Sequence, residues 1–532
     1  MNLNKDNQAF NRKFLLILIL ILLLSTFSSL LFIKNHSLVA HDESLYASRA
    51  KLIIDTNNWF TPFDQAHHKT IGSYWLTSLS FKGLGFNEFS ARLPSYIFSI
   101  SSIFVLFKIV KLVSNLQIAL ISVFTLSSSY LWFSYSNYCS PDTLYIFLNL
   151  LGIYNLLNID KSLNEEVKNK YLFFSGFFFS LPFFVRSYMQ LLPLISLSPL
   201  IFFAIYKLSI KNIKYIIMGL TFGLIPLMIY VFISFKAYGI ESFIKPYELL
   251  HFKALTESNI FEGFIFYPRN LILFSFPFFI FIINGTKFIL RTKSKDLILL
   301  FIFAPLINVC VLILSASNYS HYALFVIPLL ASNASFGIYE CYKNNTSITK
   351  LTLRIFGLFS TIVSIVIFLI LFFNSYLNIQ VEFSLFELLV MLSFSFISIY
   401  LSISIFLNAK FKYLNVNKIL LIFLIQIICM SFLFGKGVIG NPNNNFKQFI
   451  NQKDIYEIVE NNRIYLIGDL NDKSLHLLKF YLPSYNRLNI EEISNIDNSY
   501  GFISDDDVLN LSDFDKFKII KKYENINLIQ FN

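Results

Sequence analysis

Apolar runs recur along the chain from Phe14 to about Phe434, separated by short polar connections, and beyond Asn441 the sequence turns polar and charged. Each run approaches the ~20 residues that a helix needs to cross a hydrocarbon core. The pattern predicts thirteen spans, at 14–33, 94–113, 117–136, 143–159, 171–188, 190–206, 215–235, 270–290, 297–315, 322–338, 355–374, 387–407 and 419–436. Two connections are too long to be turns: 34–93, with Trp59, Tyr74 and Trp75 among amphipathic stretches, and the more polar 236–269. Aromatic, amphipathic segments of this kind suit helices lying in the membrane interface. Residues 441–532 change character. Arg463–Ile467, Tyr500–Ser504 and Phe517–Lys522 read as strands and Ser474–Tyr481 as a helix, which predicts a small α/β unit. The expected organisation is a polytopic α-helical membrane domain over 1–440 and an extracytoplasmic α/β domain over 441–532.

Charge placement orients these spans. Lys5, Arg12 and Lys13 flank the first, and alternate connections carry Lys161, Lys168 and Lys170; Lys207, Lys211 and Lys214; Arg291, Lys293 and Lys295; Lys343, Lys350 and Arg354; and Lys410, Lys412 and Lys418. The opposite connections 137–142, 316–321 and 375–386 contain no Lys or Arg. Cytoplasmic loops carry the positive excess, so the N-terminus is expected in the cytoplasm and the tail on the extracytoplasmic side of the cell's inner (plasma) membrane. The net charge of +11 is therefore explained by clustered loop residues, and nucleic acid is excluded as a partner. Only 14% of residues are charged, against roughly 25% in an ordinary soluble chain. The four cysteines share no short spacing, which argues against a disulfide framework or zinc knuckle. The first apolar stretch, 14–33, is longer than the apolar core of a typical signal peptide and lacks a small-residue cleavage site, so it reads as a retained helix.

The ionisable residues concentrate in the outer connections. His41, Asp42 and Glu43 follow the first span directly, and acidic groups beside hydrocarbon are costly and tend to be functional. Tyr46, Arg49, Trp59, Pro62, His67, His68, Lys69, Tyr74, Trp75 and Arg92 follow in the same loop. Asp142, in Ser140-Pro141-Asp142, is placed on the same face; it suits both a helix cap and a chemical role. Arg186 closes the fifth run, where it either pairs with an anion or snorkels to the interface.

The stretch from Asp42 to Pro94 resembles the first outer loop of the bacterial aminoarabinose transferases of lipid A, and of the wider group related to protein O-mannosyltransferases that share the GT-C membrane fold. The shared pattern is an acidic pair (Asp42-Glu43), Tyr46 and Arg49, Asn58-Trp59 before Pro62, Lys69 before Tyr74-Trp75, and Arg92-Leu93-Pro94 entering the next span. Ser140-Pro141-Asp142 and the segment ending in His321-Tyr322 match further family positions. The chain departs from the pattern at Arg186-Ser187, where relatives often have Lys-Gly; at Asn318, where Lys is common; and at His68, where Glu is common.

The resemblance implies a membrane glycosyltransferase using a polyprenyl-phosphate sugar donor, with a glycolipid of the lipid A type or a glycoprotein as acceptor. The leaving group would be a phosphate monoester, so cations at the interface would neutralise the charge that develops; Lys69, Arg186 and Arg269 are the candidates. Asp42 would act as general base toward an acceptor hydroxyl, with Glu43 or Asp142 orienting the acceptor or holding a metal. Tyr46, Arg49, Tyr74, Trp75, His321 and Tyr322 are the expected substrate contacts. The resemblance fixes no cofactor; a divalent metal at His68, with neighbouring His and Asp residues, is the open candidate. A lipid-linked-sugar flippase would instead place charges near span centres and break helices at matching points of two halves, and neither pattern is found.

Overall fold

The computed structural model describes residues 36–40, 43–162, 164–206, 208–251, 260–315, 318–344, 346–373, 384–407, 414–490, 499–510 and 517–531, with scattered positions between 19 and 31. Asp42, His41, much of the expected first span and most of the 375–386 connection lie outside the described residues.

The chain is a multi-pass membrane protein. Among the described residues, eight helices are long and apolar enough to cross a bilayer, or ten when two bent pairs are each counted as one span. The expected count of thirteen is not reached on this measure. The expected 117–136 span is two helices, Leu116–Ser127 and Tyr130–Ser136, bent by 71° at the Ser128-Ser129 step. The 270–290 span is likewise bent by 101° near Pro277, which lacks the amide hydrogen that a continuous helix requires. Apolar periodicity does not register such bends, because both halves remain apolar.

Small residues allow close helix contact. A Cβ added at Gly219, in the Ile210–Tyr238 helix, would collide with the Phe173 carbonyl of the Glu165–Ser180 helix. Membrane helices gain little from hydrophobic exclusion of one another, so this backbone proximity is what holds the pair together. The Glu88–Val113 helix starts at a capping box in which Asn87 and Ser90 satisfy each other's amides.

The first outer loop folds into two helices, Glu43–Thr56 and Gly72–Leu84. It is tied down by an ion pair buried on both sides: Arg92 Nε and Nη2 each donate to Glu43 at 2.8 Å. Arg92 Nη2 also donates to the Ser37 carbonyl at 3.0 Å, and the amides of Val39 and Cys139 donate to the same carboxylate at 2.8 Å each. Three segments far apart in sequence are thereby pinned at one point.

The tail carries a five-stranded sheet in the order β2-β1-β3-β5-β4. Strand β1 (Ile464–Ile467) pairs in parallel with β2 (Asn486–Leu488) and β3 (Tyr500–Ser504), while β3, β5 (Ile526–Phe531) and β4 (Phe517–Tyr523) are antiparallel. The tail docks on the first outer loop. Lys51 Nζ donates to the carbonyls of Phe480 and Leu482, Tyr481 Oη accepts from the Leu38 amide at 3.0 Å and donates to Glu88 at 3.2 Å, and Lys447 pairs with Glu88.

A cavity between the outer loops and the tail

A cavity of about 390 Å³ opens where the first outer loop, the 135–142 connection, residues 185–189, residues 319–322 and the tail converge. Its chemical centre is the Tyr46 phenol. Lys69 Nζ and Arg186 Nη1 both donate to Tyr46 Oη, each at 3.1 Å, and Lys69 also lies 4.6 Å from the centre of that ring. Arg186 Nη2 pairs with Asp142 at 2.7 Å, and both side chains are about nine-tenths buried. Asp142 begins the Asp142–Asn158 helix, where a carboxylate also meets the positive end of the helix dipole. Ser140 Oγ donates to Asp142 Oδ2 at 3.1 Å and fixes its rotation.

Electrostatics make this wall receptive to an anion. Glu43 borders the cavity but is neutralised by Arg92, leaving Arg49, Lys69 and Arg186 against Asp142 on the inner wall. Burial pushes the Lys69 amine down to about 8, with Arg49 and Arg186 acting in the same sense and Tyr74 against them. Burial pushes the Tyr46 phenol up to about 12, so it stays protonated at neutral pH. Arg186 Nε is buried and has no hydrogen-bond partner among the described residues. A buried guanidinium N–H left unpaired is costly, so this arginine is less completely satisfied than Arg92.

A family model for dolichyl-phosphate-mannose-protein mannosyltransferases matches residues 68–232, a stretch that contains Lys69, Asp142 and Arg186. The crystal structure of ArnT from Cupriavidus metallidurans bound to undecaprenyl phosphate superposes with a TM-score of 0.74 at 12% identity, covering 96% of this chain and 97% of that chain. Its apo form gives 0.71 at 13% identity over the same shares. The chain has the GT-C fold. An uncharacterized protein of Aquifex aeolicus (strain VF5) is 26% identical over 147 residues, 27% of this chain and 29% of that relative, so the match spans under a third of the relative's length.

Within this GT-C framework most of the expected site residues come together. Glu43, Tyr46, Arg49, His68, Lys69, Asp142, Arg186, His321 and Tyr322 all line the cavity. Arg186 is paired with an anion rather than extended to the interface. Asp42 lies outside the described residues, one peptide bond from Glu43. Glu43 departs from its expected role as acceptor or metal contact, since both of its oxygens are engaged by Arg92 and backbone amides; it is a loop-fixing residue at the cavity edge.

Tyr74 and Trp75 stand behind the wall. Tyr74 Oη accepts from Arg49 Nη1 at 3.0 Å and meets His67 Nε2 at 3.1 Å, while Trp75 Nε1 donates to the Trp59 carbonyl at 2.6 Å and packs edge-on against Phe184. Burial holds the His67 imidazole well below its ordinary range, so it is neutral there. Arg269 is exposed on the Ile260–Phe274 helix and does not line the cavity. Among the described residues no three His, Cys, Asp or Glu side chains converge as metal ligands; His41 and Asp42, the expected neighbours of His68, lie outside them. The sequence reading missed Asp472 and His476, which reach the cavity from the tail. Their only local signal is a shared helical face at i and i+4.

Proposed function

We propose that this chain is an inverting glycosyltransferase of the plasma membrane that moves a sugar from a polyprenyl-phosphate carrier to an envelope glycolipid of the lipid A type on the extracytoplasmic side. The observation that carries the reading is the pairing of Lys69 and Arg186 on one phenol, Tyr46, in the wall of a cavity bordered by the outer loop. Two fixed cations at that point suit the phosphate of a lipid whose isoprenoid chain stays in the bilayer. The undecaprenyl phosphate bound to the similarly folded ArnT supports this choice of carrier.

In the reaction, the bond between the anomeric carbon and the phosphate oxygen breaks, and its electron pair leaves with the phosphate monoester. Lys69 and Arg186 stabilise the charge that accumulates there, which is worth more in a site shielded from water. An acceptor oxygen forms the new bond on the opposite face of the sugar. Where that oxygen belongs to a hydroxyl, Asp42 takes its proton; where it belongs to a phosphate, the group is already ionised and Asp42 positions it. Asp142 holds Arg186 in place through its 2.7 Å pair and sets the direction of the guanidinium.

The test uses purified protein in lipid nanodiscs, supplied with undecaprenyl phosphate carrying mannose, glucose or aminoarabinose and with lipid A. Mass spectrometry of envelope glycolipids and glycoproteins from cells with and without the protein accompanies it. The expected result is a sugar-bearing lipid A in the presence of wild-type protein, with Asp42→Asn abolishing transfer to a hydroxyl and slowing transfer to a phosphate. A sugar on a protein hydroxyl with unmodified lipid A would replace the acceptor half of the proposal. Absence of any transfer from a lipid-phosphate donor, in vitro or in cells, would overturn it.

A further inference from the structure

We infer that Asp472 and His476, supplied by the tail, are saccharide-contacting residues that complete the cavity, so the outer domain forms part of the binding site and is more than a cover. The inference rests on the proposed glycosyl transfer and extends it to a region some four hundred residues away in sequence. Asp472 and His476 lie four residues apart in the Asp472–Tyr481 helix, hence on one face, and both line the same cavity as Lys69 and Arg186. His476 is buried, and its Nδ1 meets Ser48 Oγ of the outer-loop helix at 3.3 Å, which fixes the ring's orientation. The helix itself is anchored through Lys51, which donates to the carbonyls at its C-terminal end, and through Tyr481. Its position is therefore set by the membrane domain.

The chemistry of the two walls differs. The inner wall offers cations to a phosphate. The tail offers an exposed carboxylate and a buried imidazole, a pair that accepts and donates hydrogen bonds as a ring of hydroxyls requires. A polyhydroxylated sugar attached to a phosphate at Lys69 and Arg186 would extend toward them. The sugar belongs either to the donor or to the acceptor glycolipid, and binding experiments separate the two.

Native mass spectrometry of the full-length protein would compare bare undecaprenyl phosphate, undecaprenyl phosphate carrying mannose, glucose or aminoarabinose, and lipid A. The expected result is that a sugar strengthens binding over the bare carrier, or that lipid A binds measurably. Asp472→Ala and His476→Ala should then each weaken that sugar-dependent binding by about tenfold, the scale of one hydrogen bond to a charged or polar partner. Binding of the bare carrier should stay at wild-type values in both variants, the thermal midpoint should be unchanged for the exposed Asp472→Ala, and Asp472→Asn and His476→Gln should restore part of the loss. A loss confined to glycosylated carriers assigns the residues to the donor sugar, and one confined to lipid A to the acceptor. Variants that bind every sugar-bearing ligand like wild type would overturn the inference while leaving the carrier reading intact. Failure of wild type to bind bare undecaprenyl phosphate would instead remove the carrier reading, and this inference with it.

Discussion

Two carboxylate–arginine pairs stand near the same cavity, and their surroundings differ. Glu43 and Arg92 are closed: side-chain exposure is 0% and 1%, both carboxylate oxygens are shared between the guanidinium and backbone amides, and two carbonyls take further guanidinium protons. Asp142 and Arg186 are open: the pair borders the cavity, Arg186 Nη1 meets the Tyr46 phenol, and Arg186 Nε has no partner among the described residues. A fully satisfied buried pair fixes geometry, whereas one that is incompletely bonded and borders a cavity is the candidate for meeting a ligand. Exposure alone would not separate them, because all four side chains are largely buried. Completeness of hydrogen bonding does.

This contrast orders the expected effects. The largest is on turnover: Arg186→Ala should lower it by about 10²–10³-fold, the typical cost of removing one preorganised charge-stabilising group, measured as single-turnover transfer in nanodiscs. Transfer near the wild-type rate would place the open pair among the structural ones. Arg92→Ala leaves the Glu43 charge buried without its partner, which should destabilise the protein by about 3–5 kcal/mol. Arg186→Ala should cost roughly 1–2 kcal/mol, because Asp142 can be solvated from the cavity. Thermal unfolding of both variants in the same detergent checks the ranking, and equal losses would erase the distinction.

Lys69 gives a smaller effect with a pH signature. Burial holds its amine at about 8, well below an exposed lysine, so its positive charge is lost as pH rises through that value. Carrier binding by wild type should therefore weaken above about pH 8, and Lys69→Ala should bind about tenfold more weakly below it, with this step absent. The effect on folding has the opposite sign. The unfolded lysine keeps its proton up to about 10.4, so between the two values the unfolded state holds more protons and stability from this group rises with pH. A pH step that survives in Lys69→Ala would assign it to another group. The smallest effect is at Arg269, exposed and outside the cavity, where Arg269→Ala should leave carrier affinity within about twofold.

The regions where sequence pattern and structure agree are those where a local signal suffices. Apolar runs of membrane length carry their own period, and the outer-loop pattern of acid, aromatic and base names the first-loop side of the cavity wall. Strands β1, β3 and β4 are recognisable from alternation or β-branched content. Strand β5, with nearly all of Ile526–Phe531 buried, shows no alternation, and β2 is only three residues long. The bends at Ser128-Ser129 and Pro277 escape the hydropathy profile. Glu43 and Asp142 look alike in sequence as acids beside membrane, because their difference lies in partners at positions 92 and 186. Arg269 looks well placed next to Tyr267-Pro268, yet it is exposed and does not line the cavity. Asp472 and His476 carry no motif; only docking of the tail on Ser48 and Lys51 gives them a place.

The central claim is that the open pair and Lys69 hold a lipid phosphate. Its most direct test is native mass spectrometry of the full chain with undecaprenyl phosphate and, as an uncharged control, undecaprenol. Wild type should bind the phosphate and discriminate strongly against the alcohol, and Arg186→Ala and Lys69→Ala should lose that discrimination while remaining folded. Folded variants that keep the wild-type preference for the phosphate would contradict the account.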